Sequence, residues 1–208
     1  MQEKLVNGYS RFRNGYYKKN RKRLEQLAEQ QTPSVAMVSC CDSRVEPSIL
    51  FDVEPGDIFV IRNVANLVPP FETNGTYHGT SAALEFAVTG LSVKQIVVLG
   101  HANCGGIRAL MEKEETIKPK GFVDGWMQIA APAREEVLAR TELDTLQKKT
   151  DVCEKSAIGY SLQNLMTYPW IRSRVESGKL DLVGCYYDLR SGELSNINTI
   201  NASSLSTG

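Results

Sequence analysis

Histidine is scarce in this sequence. Among 208 residues there are two, His78 and His101, so chemistry that needs several imidazoles at one centre is excluded. Net charge is absent as well: 24 Lys plus Arg face 24 Asp plus Glu. A dedicated nucleic-acid binder needs surplus positive charge against phosphates, so no nucleic-acid partner is expected. No run approaches the ~18 uninterrupted apolar residues of a spanning helix, and no membrane partner is expected. The first thirty residues, MQEKLVNGYSRFRNGYYKKNRKRLEQLAEQ, lack the apolar stretch of a secretory signal. The expected localisation is therefore cytoplasmic, with reduced thiols. The cysteines, Cys40, Cys41, Cys104, Cys153 and Cys185, are odd in number, a poor fit to a disulfide scaffold. Repeats and low-complexity tracts are missing too. What remains is 42% hydrophobic and 23% charged, which suits one sizeable core and excludes intrinsic disorder.

Charge is unevenly spread. Residues 1–30 carry eight Lys or Arg against three Glu, a local +5. Tyr9, Phe12 and Tyr16 are spaced three and four apart, as one helix face requires. Residues 1–30 read as an N-terminal helical arm whose aromatic side docks on a neighbour. Residues 31–208 read as a single α/β catalytic domain.

Within that domain, apolar runs alternate with helical segments. Ser34–Ser39, Asp57–Arg62, Gln95–Gly100 and Leu180–Leu189 have strand character. Thr80–Thr89 is expected as a helix stopping at Gly90, and Gly105–Glu112 as a helix start. Asp124–Arg140 is expected as one helix with Asp124 as its N-cap. Asp151 and Glu154 resemble a capping box before a helix reaching Thr167 and ended by Pro169. Arg190-Ser191-Gly192 suggests a turn into a short strand near Leu194, and the tail NASSLSTG is expected to fray. Continuous apolar strands separated by helices predict a mostly parallel central β-sheet flanked by helices, with chemistry at the carboxyl ends of the strands.

Two strands run into possible metal ligands. The first leads into Cys40-Cys41-Asp42-Ser43-Arg44, the third into His101-Ala102-Asn103-Cys104-Gly105-Gly106. Adjacent parallel strands would gather two thiolates and one imidazole in one crevice. That set suits zinc, and three protein ligands leave the fourth tetrahedral place open, as in catalytic sites. Side chains alternate near a strand end, so only one of Cys40 and Cys41 faces the crevice, and spacing does not choose between them. Two thiolates partly offset the charge of Zn²⁺, so a neighbour must help hold the nucleophile. Asp42, aimed and kept ionised by Arg44, is placed for that. The Gly105-Gly106 pair allows close chain approach before a helix N-terminus.

At these residues the chain resembles the β-class carbonic anhydrases. CCDSR is similar to their C-x-D-x-R motif and HANCGG to their H-x-x-C-G-G motif. RNVANLVPP, GTSAALEFAV, QIVVLG, NLMTYPWIR and GCYYDLRSG look like the same family, over roughly residues 30–195 and nearest its plant-type branch. The resemblance implies reversible zinc-dependent hydration of CO₂ to bicarbonate and a proton, through hydroxide on the metal. It implies that Cys40, His101 and Cys104 are the zinc ligands, that Cys41 occupies the variable position, and that Asp42 and Arg44 form the catalytic dyad. In a closed form known in part of the family, the aspartate becomes a fourth ligand. Gln31 matches a substrate-binding glutamine, while Phe59, Val64 and Phe86 fall at substrate-pocket positions. Two departures stand out. Met37 replaces a Trp of the bicarbonate trap found in some bacterial members, which favours the open form, and Phe86 replaces a common Tyr. The family also implies a homodimer or higher homo-oligomer with pockets at the protomer interface. Competing readings are CS₂ or COS hydrolysis on the same scaffold, a non-catalytic zinc-stabilised interaction module, and a redox switch at Cys40-Cys41. The sequence assigns no role to His78, Cys153 or Cys185.

Overall fold

The computed structural model describes residues 1–75, 77–112 and 121–205. The apolar runs become strands: β1 (Val35–Cys40), β2 (Ile58–Asn63), β3 (Gln95–His101) and β4 (Asp181–Tyr187). They pair in parallel in the order β2-β1-β3-β4, and β5 (Leu194–Ile200) adds antiparallel to β4. This is the expected mostly parallel sheet. β1 and β3 sit in the middle and are buried from their second residue onward, because helices cover both faces. β5 is an edge strand, largely exposed, and longer than the short strand expected near Leu194.

The helices are α1 (Glu3–Asn14), α2 (Tyr16–Lys19), α3 (Arg21–Glu29), α4 (Pro47–Leu50), α5 (Gly79–Glu85), α6 (Gly105–Glu112), α7 (Phe122–Met127), α8 (Ala131–Leu138), α9 (Leu146–Leu165), α10 (Pro169–Glu176) and α11 (Ala202–Leu205). Three differ from the sequence expectation. The stretch 124–140 is not one helix: α7 gives way to a 3₁₀ turn at Gln128–Ala130, and α8 follows with Pro132 in its first turn. Proline fits there because the first helical N–H groups need no intrahelical acceptor. Asp124 sits in the first turn of α7 rather than at its cap. Helix α9 begins at Leu146, with Thr145 Oγ1 accepting from Lys148 N at 3.2 Å. Asp151 and Glu154 are therefore interior residues, and Pro169 opens α10 instead of only ending α9. Of the expected frayed tail, 201–205 ends in α11 and 206–208 lie outside the described residues.

α9 lies close against β3 and β4. A Cβ on Gly100 would stand 2.6 Å from Ile158 Cδ1, and one on Gly184 2.6 Å from Ile158 Cγ2. Two glycines facing one isoleucine let this helix reach the sheet, and it carries Glu154 with it. The arm is different. α1 has no buried residue, and Phe12 stacks on Tyr16 at 5.8 Å within the arm itself. α3 is tied to the body: Arg23 pairs with Glu54 and, at 2.8 Å, with Asp57. No helix of the described residues is long and apolar enough to cross a membrane.

Candidate metal centre and active site

The carboxyl ends of β1 and β3 are neighbours in the sheet. Cys40 closes β1, His101 closes β3, and Cys104 follows three residues on. Their ligand atoms all lie within 4.8 Å of one another, and all three residues are buried. Cys41 is exposed and is not part of this group.

The donor set fits zinc. His101 Nδ1–H donates to Ala102 O at 2.9 Å, which leaves Nε2 as the lone-pair nitrogen. That Nε2 is buried and has no hydrogen-bond partner among the described residues. Such an orphan is costly unless something takes its lone pair. The Cys40 thiol is lowered, chiefly by its hydrogen bond with Cys104 and against the cost of burial. Its Sγ also accepts from Ala65 N at 3.3 Å. Ala65 holds φ +63, a left-handed conformation that turns this N–H toward the sulfur. Cys104 is pushed up, first by the same thiol pairing and then by burial. One proton shared by two adjacent thiols is what a cation would displace.

Asp42 stands beside the group, with Oδ2 3.9 Å from His101 Nε2. Arg44 grips it bidentately: Nε to Oδ1 at 2.9 Å and Nη2 to Oδ2 at 2.6 Å, with Arg44 N also donating to Oδ1 at 2.9 Å. The guanidinium holds the carboxyl well below the usual carboxylate range. Arg44 Nη2 donates further to Asn103 O at 3.0 Å, tying the two motif loops together. Both Asp42 oxygens are thus engaged by Arg44 rather than turned onto the three ligands.

Sequence reasoning missed two residues that hold these loops. Arg62 of β2 sends its guanidinium to the carbonyls of Cys40 (2.7 Å), Asp42 (2.9 Å) and Val45 (2.6 Å), and its Nη1 to Glu46 at 2.9 Å. Glu154 of α9 accepts from Cys104 N and from Tyr186 Oη, each at 2.8 Å. A charged residue closing an apolar strand was the available signal for Arg62. For Glu154 the helical pattern gave only a misleading one.

The remaining expected site residues fall in three places. Val64 lies at the site: its carbonyl accepts from Trp126 Nε1 at 2.7 Å, and Gly106 lets its side chain lie against the start of α6. Phe59 and Phe86 form a ring pair with centroids 5.9 Å apart, and Phe86 is half exposed. Gln31 is exposed at the end of the arm, lining a shallow cavity of about 510 Å³ with Leu24, Leu27, Pro55 and Gly56. His78 lines a separate groove of about 960 Å³ with Tyr77, Trp126 and Tyr160. Cys153 is buried, and burial pushes its thiol up to about 12.

An open, mostly parallel sheet carrying a buried Cys₂His group beside an arginine-held carboxylate defines a zinc enzyme with a catalytic-type ligand set. Residues 35–194 match the family model for carbonic anhydrase. Beta carbonic anhydrase 3 of Arabidopsis thaliana is 38% identical over 192 residues, spanning 91% of this chain and 74% of that protein. The chloroplastic beta carbonic anhydrase 5 of the same plant is 43% identical over 162 residues, 78% of this chain but only 53% of its own length. Among solved structures, the beta-carbonic anhydrase CcaA superposes with a TM-score of 0.88 at 33% identity, over 96% of this chain and 94% of that one. A tetrameric beta-carbonic anhydrase of Sordaria macrospora gives 0.78 at 28% identity, over 92% and 94%. The chain belongs to the β-class carbonic anhydrase family.

Proposed function

We propose that the protein is a zinc-dependent carbonic anhydrase, interconverting CO₂ and water with bicarbonate and a proton. One observation carries this reading: Cys40, His101 and Cys104 converge within 4.8 Å while Arg44 holds Asp42 beside them. These three residues would hold the ion and leave its fourth tetrahedral place free. When bound, zinc supplies the Lewis acidity that makes water a nucleophile near neutral pH.

The chain's own residues do the rest. Asp42, kept ionised by Arg44, is acceptor-only, so its Oδ2 holds the hydrogen of the attacking oxygen and turns a lone pair toward CO₂. Val64 supplies an apolar wall. Phe59 and Phe86 extend such a wall, and the Gln31 amide donates to a CO₂ oxygen. The exposure of Gln31 and Phe86 supports their serving the pocket of a second protomer, as expected for interface pockets. The engagement of both Asp42 oxygens by Arg44, together with Met37 at the Trp position, supports the open form.

The body from residue 31 is the catalytic unit, and residues 1–30 are an arm that docks on a second copy. Exposed Leu5, Val6, Tyr9 and Phe12 on α1 support this, as does the tetrameric state of the Sordaria macrospora relative. Five free thiols suit a reducing compartment such as the cytoplasm, although one relative is described as chloroplastic. The test compares CO₂ hydration with CS₂ hydrolysis on protein of measured zinc content. Activity on CO₂ supports the reading. Turnover of CS₂ alone, or bound zinc without turnover of either, overturns it.

A further inference from the structure

We infer that Glu154 and Tyr186 form a buried positioning pair for the metal loop: Tyr186 holds the Glu154 carboxylate, and that carboxylate holds the backbone N–H of Cys104, fixing where its sulfur points. The inference rests on the zinc-ligand reading of Cys104 and goes beyond it.

Glu154 is only 3% exposed. A carboxylate this deep is costly unless its oxygens are satisfied. Each oxygen has one partner: Oε1 accepts from Cys104 N and Oε2 from Tyr186 Oη, both at 2.8 Å. Tyr186 lies on β4, in register with Gly100 of β3, and is itself 6% exposed. Lys155 Nζ lies over its ring, 4.9 Å from the centroid. The chain of contacts thus runs from β4 through α9 to the loop after β3.

The loop needs an external hold. Asn103 adopts φ +55, a left-handed turn that asparagine accepts more readily than other side chains but that fixes no direction for the residue after it. Cys104 immediately precedes α6, where the first N–H groups have no intrahelical acceptor. The outer side of the loop borders a polar cavity of about 150 Å³ lined by Ala102, Asn103, Asp151 and Tyr186, so apolar packing does not fix it there. An apolar side chain in place of Glu154 could fill the same volume but would leave Tyr186 Oη without its acceptor. It could not accept from Cys104 N. A buried carboxylate at this point is explained by direction rather than by packing.

The test loads wild type, Glu154→Ala, Glu154→Gln, Tyr186→Phe and the Glu154→Ala/Tyr186→Phe double variant with zinc. It then follows transfer of the ion to a chromophoric chelator, and records the thiolate-to-cobalt bands of the Co²⁺-loaded proteins. Glu154→Ala should release zinc ~10- to 100-fold faster, as loss of a ligand-orienting partner does, and should shift the cobalt bands. Glu154→Gln keeps an oxygen for Cys104 N and should stay near wild type. Tyr186→Phe should fall between them and add nothing in the Glu154→Ala background, because it acts through that carboxylate. If Glu154→Ala does not fold, Tyr186→Phe decides by the same two readouts. Folded variants with wild-type release and unchanged bands overturn the pair, and so do additive effects in the double variant. A wild-type chain that takes up no zinc is a distinct result and overturns the metal centre itself.

Discussion

Cys40 and Cys41 are the same residue type side by side, yet only Cys40 meets His101 and Cys104. Cys40→Ser should therefore leave the protein without zinc after dialysis, while Cys41→Ser keeps it; metal analysis of the two variants checks this, and the reverse pattern would refute the ligand assignment. Loading the metal-free protein should also release protons. The paired, buried thiols of Cys40 and Cys104 hold a proton between them, because their pairing lowers the first thiol and raises the second, which burial raises further. Calorimetry in buffers of differing ionisation enthalpy should show at least one proton released per zinc at about pH 7.5; no release would contradict the shared-proton picture. Asp42 behaves oppositely. Its carboxyl is lowered by Arg44, so its charge is present above that lowered value and is lost only as the pH falls through it. Any loss of CO₂ hydration between neutrality and about pH 5 belongs to another group. Asp42→Asn should cut kcat/KM by ~100-fold or more while leaving the position of that acid limb unchanged.

The elements explain why the site was partly readable before the fold was known. Ligands at the ends of two apolar strands are legible because parallel strands align their carboxyl ends, and β1 and β3 do so side by side. The Asp42–Arg44 pair is local, so its spacing sufficed. Arg62 and Glu154 were not legible because both act across the tertiary structure, on backbone groups 17 to 50 residues away. Glu154 was masked by a capping pattern that Thr145 fulfils instead. The 124–140 segment reads as one helix when no weight is given to Pro132, which sits in the first turn of a separate helix, α8. The same tertiary contacts set a cost. Gly100→Ala would press a methyl group against Ile158, 2.6 Å away, and should destabilise the fold by about 1–3 kcal/mol. A thermal melt checks this, and the paired Gly100→Ala/Ile158→Val variant should recover part of the loss; an unchanged melting temperature for Gly100→Ala would contradict the close approach of α9.

At the scale of the whole molecule, the arm and the pocket residues outside the metal cluster belong to one account. α1 is unburied, Gln31 and Phe86 are exposed, and the family resemblance implies pockets at a protomer interface. Replacing Tyr9 and Phe12 with Ser should lower the oligomeric state seen by light scattering and lower CO₂ hydration with it, without removing zinc. Retention of both assembly and rate would detach the arm from function. The central claim is that a Cys₂His zinc centre assisted by Asp42 hydrates CO₂. The measurement that tests it most directly is stopped-flow CO₂ hydration on the zinc-loaded protein, after removal of zinc by a chelator, and after zinc is restored. Rapid hydration, its loss on zinc removal, and its recovery are expected. Hydration that survives complete removal of zinc, or that is absent from the fully loaded protein, would contradict the claim.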